Sequence, residues 1–250
     1  MKRIRGLAAS PGGLAGYLAD GTADHGWEDF GSWQGGDAKR QLAAELADVQ
    51  HGLCCYCECR LIEDDRQVEH FVPRSDPAQG DALALAFTNH LACCKGGTNR
   101  NFAADVRNPD RGRYLPPVAA NLSCGQAKGD AGGVLDPRQL LALPSVVKVD
   151  ESGAINADAA ACAASGVNVD DVKKSLKRLG LRCERLVLQR AAVWQALKPI
   201  LDDVATLPEN AKALLLPDGD GELAPFFTTI RSFFEDYADT VLAPAPQDWI

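Results

Sequence analysis

The chain has 250 residues, 46% of them hydrophobic, and a formal net charge of -8. This is enough apolar material for one substantial core or two small ones, and any phosphate contact must come from local basic patches because the global balance is acidic. Nine cysteines, an odd number, follow a start whose apolar run Leu7–Ala9 breaks at Ser10-Pro11-Gly12-Gly13; that run is too short for a secretory h-region, so neither a leader nor a disulfide scaffold is expected.

Residues 1–36 are Gly-rich, with Trp27, Phe30 and Trp33 as anchors onto other parts of the chain. Asp37 reads as the N-cap of a helix over Ala38–Gln50, with Leu42, Leu46 and Val49 as its apolar stripe and His51-Gly52 as its end. From Cys54 to about Lys128 the chain is rich in Cys, Gly and Asn. Arg66–Phe71 reads as a strand and Leu83–Phe87 as a second apolar run, with Pro73, Pro77, Gly80, Gly96 and Gly97 as punctuation. So few contiguous apolar residues suit a module held by a metal. Beyond Gly132, Leu140–Val149 is apolar and Asp150–Gly153 makes a polar turn. Helical patterns then cover Val169–Leu179, Glu184–Val204 and Leu223–Leu242. No stretch approaches the roughly 18 apolar residues of a membrane span, so a cytoplasmic protein is expected. In that compartment clustered cysteines more often hold a metal than a disulfide.

Two motifs carry chemistry. Cys54 and Cys57 form a C-x-x-C pair, whose gap lets both thiolates reach one ion at about 2.3 Å. The second pair would come from Cys59, Cys93, Cys94 and Cys124, and spacing alone does not choose among them. Cys162 and Cys183 read instead as small buried hydrophobes. In Val68-Glu69-His70-Phe71-Val72-Pro73 a carboxylate suited to a hard divalent cation stands beside an imidazole suited to deprotonating water. Neighbours on a strand point to opposite faces, so both serve one site only where the strand ends, and Pro73 supports an end there.

The order Cys-x-x-Cys-Glu, Val-Glu-His-Phe-x-Pro, Asn89-x-Leu91 leading to Cys94, then Cys124-x-x-x-Lys128-Gly129 resembles the HNH, or ββα-metal, nuclease family. More narrowly it is similar to the HNH subunit of Septu-type and retron-linked anti-phage systems, as are Gln50-x-Gly52, Leu179-Gly-Leu181, Leu186 and Arg190. The resemblance implies structural zinc on Cys54, Cys57, Cys94 and Cys124, with Cys94 preferred to Cys93 by its distance from Asn89. It implies His70 as general base, Glu69 as ligand of a catalytic Mg²⁺ or Mn²⁺, Asn89 orienting His70 or pinning the loop, and Lys128 facing phosphate. An ATPase is the partner it implies, in a hetero-oligomer. One position departs: where many members place His or Asn after the last zinc cysteine, this chain has Gly125.

The expected fold class is α+β, with a small zinc-stapled ββα core at 53–131 between an N-terminal arm and helix at 1–52 and a mainly helical region at 132–250. Basic residues fall in two zones, one including Lys95 and Arg100 and the other Arg178 and Arg182, and these are the candidate phosphate contacts. Acids at Asp218, Asp220, Glu222, Glu235, Asp236 and Asp239 would repel nucleic acid. The leading expectation is a metal-dependent endonuclease acting on DNA or RNA. The alternative is a zinc-stapled adaptor that has lost catalysis, which Gly125 favours. A thiol redox protein would need a βαβ context that the pattern lacks.

Overall fold

A computed structural model describes residues 1–98, 119–202 and 204–250. The N-terminal arm forms α1 (Gly12–Ala19) and α2 (Trp27–Ser32) before the longer α3 (Asp37–Val49). Gly36, in the left-handed region, takes the N-cap of α3, and Asp37 is its first residue rather than its cap. There the carboxylate meets the positive end of the helix dipole. Leu42 and Leu46 are fully buried. Just past the helix end, the Gln50 amide donates to the carbonyls of Leu53 and Ala92 and accepts from the Ala92 N–H, at 2.9 Å each. Those bonds tie α3 to the strand pair.

That pair is β1 (Arg66–His70) and β2 (His90–Cys94), antiparallel, with Glu69 opposite Leu91 and His70 opposite His90. Between them Gly80–Leu83 makes one helical turn, α4. The apolar run expected over Leu83–Phe87 is therefore not a strand; it passes into a 3-10 turn over Phe87–Asn89, and pairing begins at His90. Every residue of β2 is buried, so it lacks the alternation that marks a half-buried strand. α5 (Cys124–Lys128) packs on β2 and completes a β-β-α order.

The rest comprises a second strand pair, β3 (Val147–Val149) with β4 (Ile155–Ala157), followed by α6 (Ala159–Ser165) and α7 (Val169–Arg178). Then come α8 (Glu184–Leu197), α9 (Leu207–Leu215), α10 (Phe227–Phe234) and α11 (Asp236–Leu242). The helix expected over Glu184–Val204 ends at Leu197 and tightens into a 3-10 turn over Lys198–Asp202, where Pro199 has no N–H to donate. The pattern over Leu223–Leu242 splits at Glu235, whose φ of 48° no α-helix accommodates. The main apolar cluster draws on residues from all three expected segments, and a second gathers Leu207, Leu215, Phe227, Phe234 and Trp249 near the C-terminus. The class is mixed α+β. Among the described residues no helix is long and apolar enough to cross a membrane.

Candidate metal centre and active site

The knuckle that carries the first cysteine pair is a tight turn. Cys54 N–H donates to the Cys59 carbonyl at 3.0 Å and Glu58 N–H to the Cys54 carbonyl at 3.1 Å, with Glu58 at φ 63°. Glu58 is buried, and its carboxylate accepts from the backbone N–H groups of Lys2 (2.8 Å) and Thr228 (2.6 Å). The turn is thereby anchored to the N-terminal residues and to Thr228 near the C-terminus. β2 delivers Cys94, and α5 delivers Cys124 at φ 56° with its N–H on the Leu179 carbonyl.

The four sulfurs of Cys54, Cys57, Cys94 and Cys124 lie within 4.8 Å of one another, all buried. The closest separations are 3.6 Å (Cys94–Cys124), 3.7 Å (Cys57–Cys94) and 3.8 Å (Cys54–Cys124). Metal–sulfur bonds of about 2.3 Å in a tetrahedron put the sulfurs about 3.8 Å apart, so the cluster matches a four-thiolate cage. Cys93 lies at the edge of the cluster: it approaches Cys54 at 3.9 Å and groups with Cys54 and Cys55 rather than with Cys57 and Cys94. Four crowded thiols ionise unequally. At Cys54 burial opposes ionisation, yet S–H bonds from Cys124, Cys55 and Cys57 bring it well below the usual thiol range. Cys57 falls likewise, through Cys124 first. Cys94 rises because its bond to Cys124 favours the neutral form, and Cys124 rises by desolvation. A bound cation would lower all four together. The cluster can hold a structural metal.

Next to the cage, the Glu69 carboxylate is buried and ion-paired with Lys128 of α5 at 2.6 Å. The same ammonium donates to the His70 carbonyl at 2.8 Å, and Tyr56 Oη donates to Glu69 Oε1 at 3.4 Å. Desolvation raises the Glu69 pKa against the pull of Lys128. A Cβ on Gly125 would stand 2.4 Å from Glu69 Oε2, so no larger residue fits there while the carboxylate holds this position. Lys128, expected to face phosphate, is thus buried against Glu69. Glu69, expected to ligate a divalent ion, has an ammonium in contact. Among the described residues no set of three His, Cys, Asp or Glu donors includes Glu69 or His70.

His70 faces the other side of β1. Its ring stands edge-on to Trp27 at 4.3 Å and to His90 at 4.9 Å, so α2 supplies the floor through one of the expected anchors. Nε2 of both histidines lies 3.0 Å from the Ala84 carbonyl. A carbonyl only accepts, so each Nε2 carries its hydrogen and each lone pair sits on Nδ1. Burial and then His90 lower the His70 pKa to about 4, and burial lowers His90 to about 4. Asn89 does not touch the His70 ring. It pins the loop after β1, with Oδ1 accepting from Val72 N–H at 2.8 Å and Nδ2 donating to the carbonyls of Val72 (3.0 Å) and Leu83 (3.2 Å). His90 and Tyr56 escaped the sequence reading, although a second histidine one residue beyond Asn89 was a visible signal.

The basic residues divide. Lys95 donates to the Asp64 carbonyl at 2.6 Å, and Arg100 lies outside the described residues. Arg178 and Arg182, with Lys173 and Lys177, line an open cleft of about 830 Å³. The cleft runs between α7 and the Gln126–Ala127 face of α5, and among the described residues no carboxylate lines it. Arg182 is partly engaged, donating to the Ile155 carbonyl and to Asn156 Oδ1 at 2.9 Å each.

A strand pair, a short helix and a buried four-cysteine cage that could hold a metal define a mixed α+β protein. No family model matches the chain. It is similar to a Vibrio cholerae (serotype O1 biovar El Tor) protein named "Retron Vc95 putative HNH endonuclease", 25% identical over 111 residues. The match takes in 44% of this chain and spans about half, 54%, of that relative. It supports kinship with the HNH nucleases and nothing narrower.

Proposed function

We propose that the protein is an HNH-type endonuclease that hydrolyses phosphodiester bonds in nucleic acid. The observation that carries this reading is the β-β-α unit itself. A four-cysteine cage at one side fixes β2 and α5, a Glu-His pair ends β1, and Lys128 bonds both members of that pair. The distant HNH relative supports it independently.

Zinc is the structural ion in this reading, because a closed set of four thiolates is its characteristic donor set. His70 is the general base. Burial keeps its ring neutral near pH 7, so Nδ1 takes a proton from water as the water oxygen bonds to phosphorus and the bond to the leaving oxygen breaks. Lys128, paired with Glu69, holds the end of β1 in place through the His70 carbonyl, and Asn89 holds the loop that follows. The cleft with Lys173, Lys177, Arg178 and Arg182 takes the phosphate backbone, and its cations predict binding that weakens steeply with salt. A wider setting, an ATPase partner within an anti-phage complex, is supported by the motif order and by the relative's retron name; co-purification from the native operon tests it.

Zinc-loaded protein and its His70→Ala variant, incubated with plasmid DNA, single-stranded DNA and RNA with and without Mg²⁺ or Mn²⁺, decide the activity. Cleavage by the wild type that falls by roughly 10²–10⁴-fold in the variant is expected. A folded, zinc-loaded wild type that cuts nothing, alone or beside its partner, hands the molecule to the adaptor reading, which the buried Glu69–Lys128 pair and Gly125 favour.

A further inference from the structure

Behind the cysteine cage lies a charge that the nuclease reading does not use. Arg185, in the first turn of α8, is 2% exposed although its side chain is cationic. Its Nη2 donates to Ser123 Oγ at 2.7 Å, one residue before Cys124. Its Nε is buried with no hydrogen-bond partner. The guanidinium lies flat against Gly97, three residues after Cys94, where a Cβ would stand 2.9 Å from Nε and 3.2 Å from Cζ. Gly97 has a φ of 86°, so glycine there meets both the turn and the close approach. The two loops that Arg185 touches are themselves joined, Ser123 N–H donating to the Gly96 carbonyl at 3.1 Å.

A buried guanidinium without a carboxylate costs several kcal/mol unless other negative charge compensates it. None of the ion pairs among the described residues includes Arg185. Among the described residues, burial disfavours its charge while the nearby sulfurs of Cys57, Cys183, Cys94 and Cys124 favour it. A divalent ion in a cage of four thiolates leaves a net charge of about -2 buried in the core, which needs an internal counter-charge.

We propose that Arg185 is a positioning residue of the metal centre, clasping the Cys94 turn to the Ser123–Cys124 segment and balancing the charge of the metal-bound thiolates. This rests on reading the four cysteines as a metal site. Arg190 makes a natural comparison. It is equally buried on α8 and also feels Cys57 and then Glu58, but its Nη1 donates to the Leu181 carbonyl at 2.7 Å rather than to the cage loops, and desolvation leaves its pKa lowered.

The test uses the full chain as wild type, Arg185→Lys and Arg185→Gln, loaded with zinc or cobalt(II). Metal affinity is read by chelator competition, and the cage by the cobalt–thiolate charge-transfer band. Near-UV circular dichroism of the metal-saturated proteins reports folding. Arg185→Gln should bind metal about 10–100-fold more weakly, with Arg185→Lys recovering much of the loss. Equal losses in both variants would reduce Arg185 to a packing role and overturn the proposal, as would wild-type affinity in Arg185→Gln. If Arg185→Gln fails to fold even with metal, Arg185→Lys decides: near-wild-type affinity supports the charge role, and a loss as deep as that of Cys57→Ser refutes it. A wild type that binds no zinc or cobalt sinks the metal-centre reading itself, a separate result.

Discussion

At the scale of single residues, the contact between Glu69 and Lys128 governs the site. A carboxylate buried to this degree depends on its cation, and removing one partner of a buried pair costs roughly 3–5 kcal/mol. Lys128→Met should therefore destabilise the protein by about that much in urea titrations, and adding Glu69→Gln should recover most of the loss. A loss under about 1 kcal/mol in the single variant would mean the pair does not exist in solution. Gly125 offers a sharper test because two effects oppose each other. Alanine gains about 1 kcal/mol of helix propensity over glycine, but its Cβ would stand 2.4 Å from Glu69 Oε2, and overpacking of that kind costs about 1–3 kcal/mol. Net destabilisation of Gly125→Ala is predicted; a more stable variant would place Glu69 elsewhere. The Cys54–Cys57 pair was legible in the sequence because its spacing is local, whereas Cys94 and Cys124 were singled out only by the resemblance; the structure gathers these four sulfurs within 4.8 Å of one another. The Lys128 pairing was not legible, since its partner lies 59 residues away and no local pattern announces it. The environment of Arg185 was equally hidden. A charged residue in the first turn of a helix reads as surface until the loops of Cys94 and Cys124 are seen to cover it.

At the scale of elements, β1 and β2 bring His70 opposite His90, burying His90 and half-burying His70 against Trp27. Each has a folded pKa of about 4, below the unfolded value of about 6.5. Between those values the unfolded chain binds the protons and the folded one does not. Their contribution is thus fully present above about pH 6.5 and is lost as the pH falls towards 4. Melting temperatures measured across that window should drop, and more gently in His90→Gln, which keeps a donor for the Ala84 carbonyl but cannot titrate. Parallel profiles for wild type and variant would count against a neutral, buried pair. The first strand was readable as a strand-like piece ending before Pro73, and α3 from its helical spacing. β2 was not, because it is buried along its whole length, and α10 and α11 were read as one helix because a break in φ at Glu235 leaves no mark on apolar periodicity.

At the scale of the molecule, the cage joins pieces that lie far apart in sequence: the knuckle at Cys54 and Cys57, the end of β2, and the start of α5. The mixed α+β class was legible from composition and pattern, while the way one apolar cluster runs through all three expected segments was not. If the cage holds the β-β-α unit together, stripping its metal should lower the melting temperature sharply and cooperatively. X-ray absorption at the zinc edge of the purified chain tests the central claim most directly. The account predicts about one zinc per chain with a shell of four sulfurs at about 2.3 Å and no lighter ligand. A protein without zinc, or a shell containing nitrogen or oxygen in place of one of the sulfurs, would contradict it.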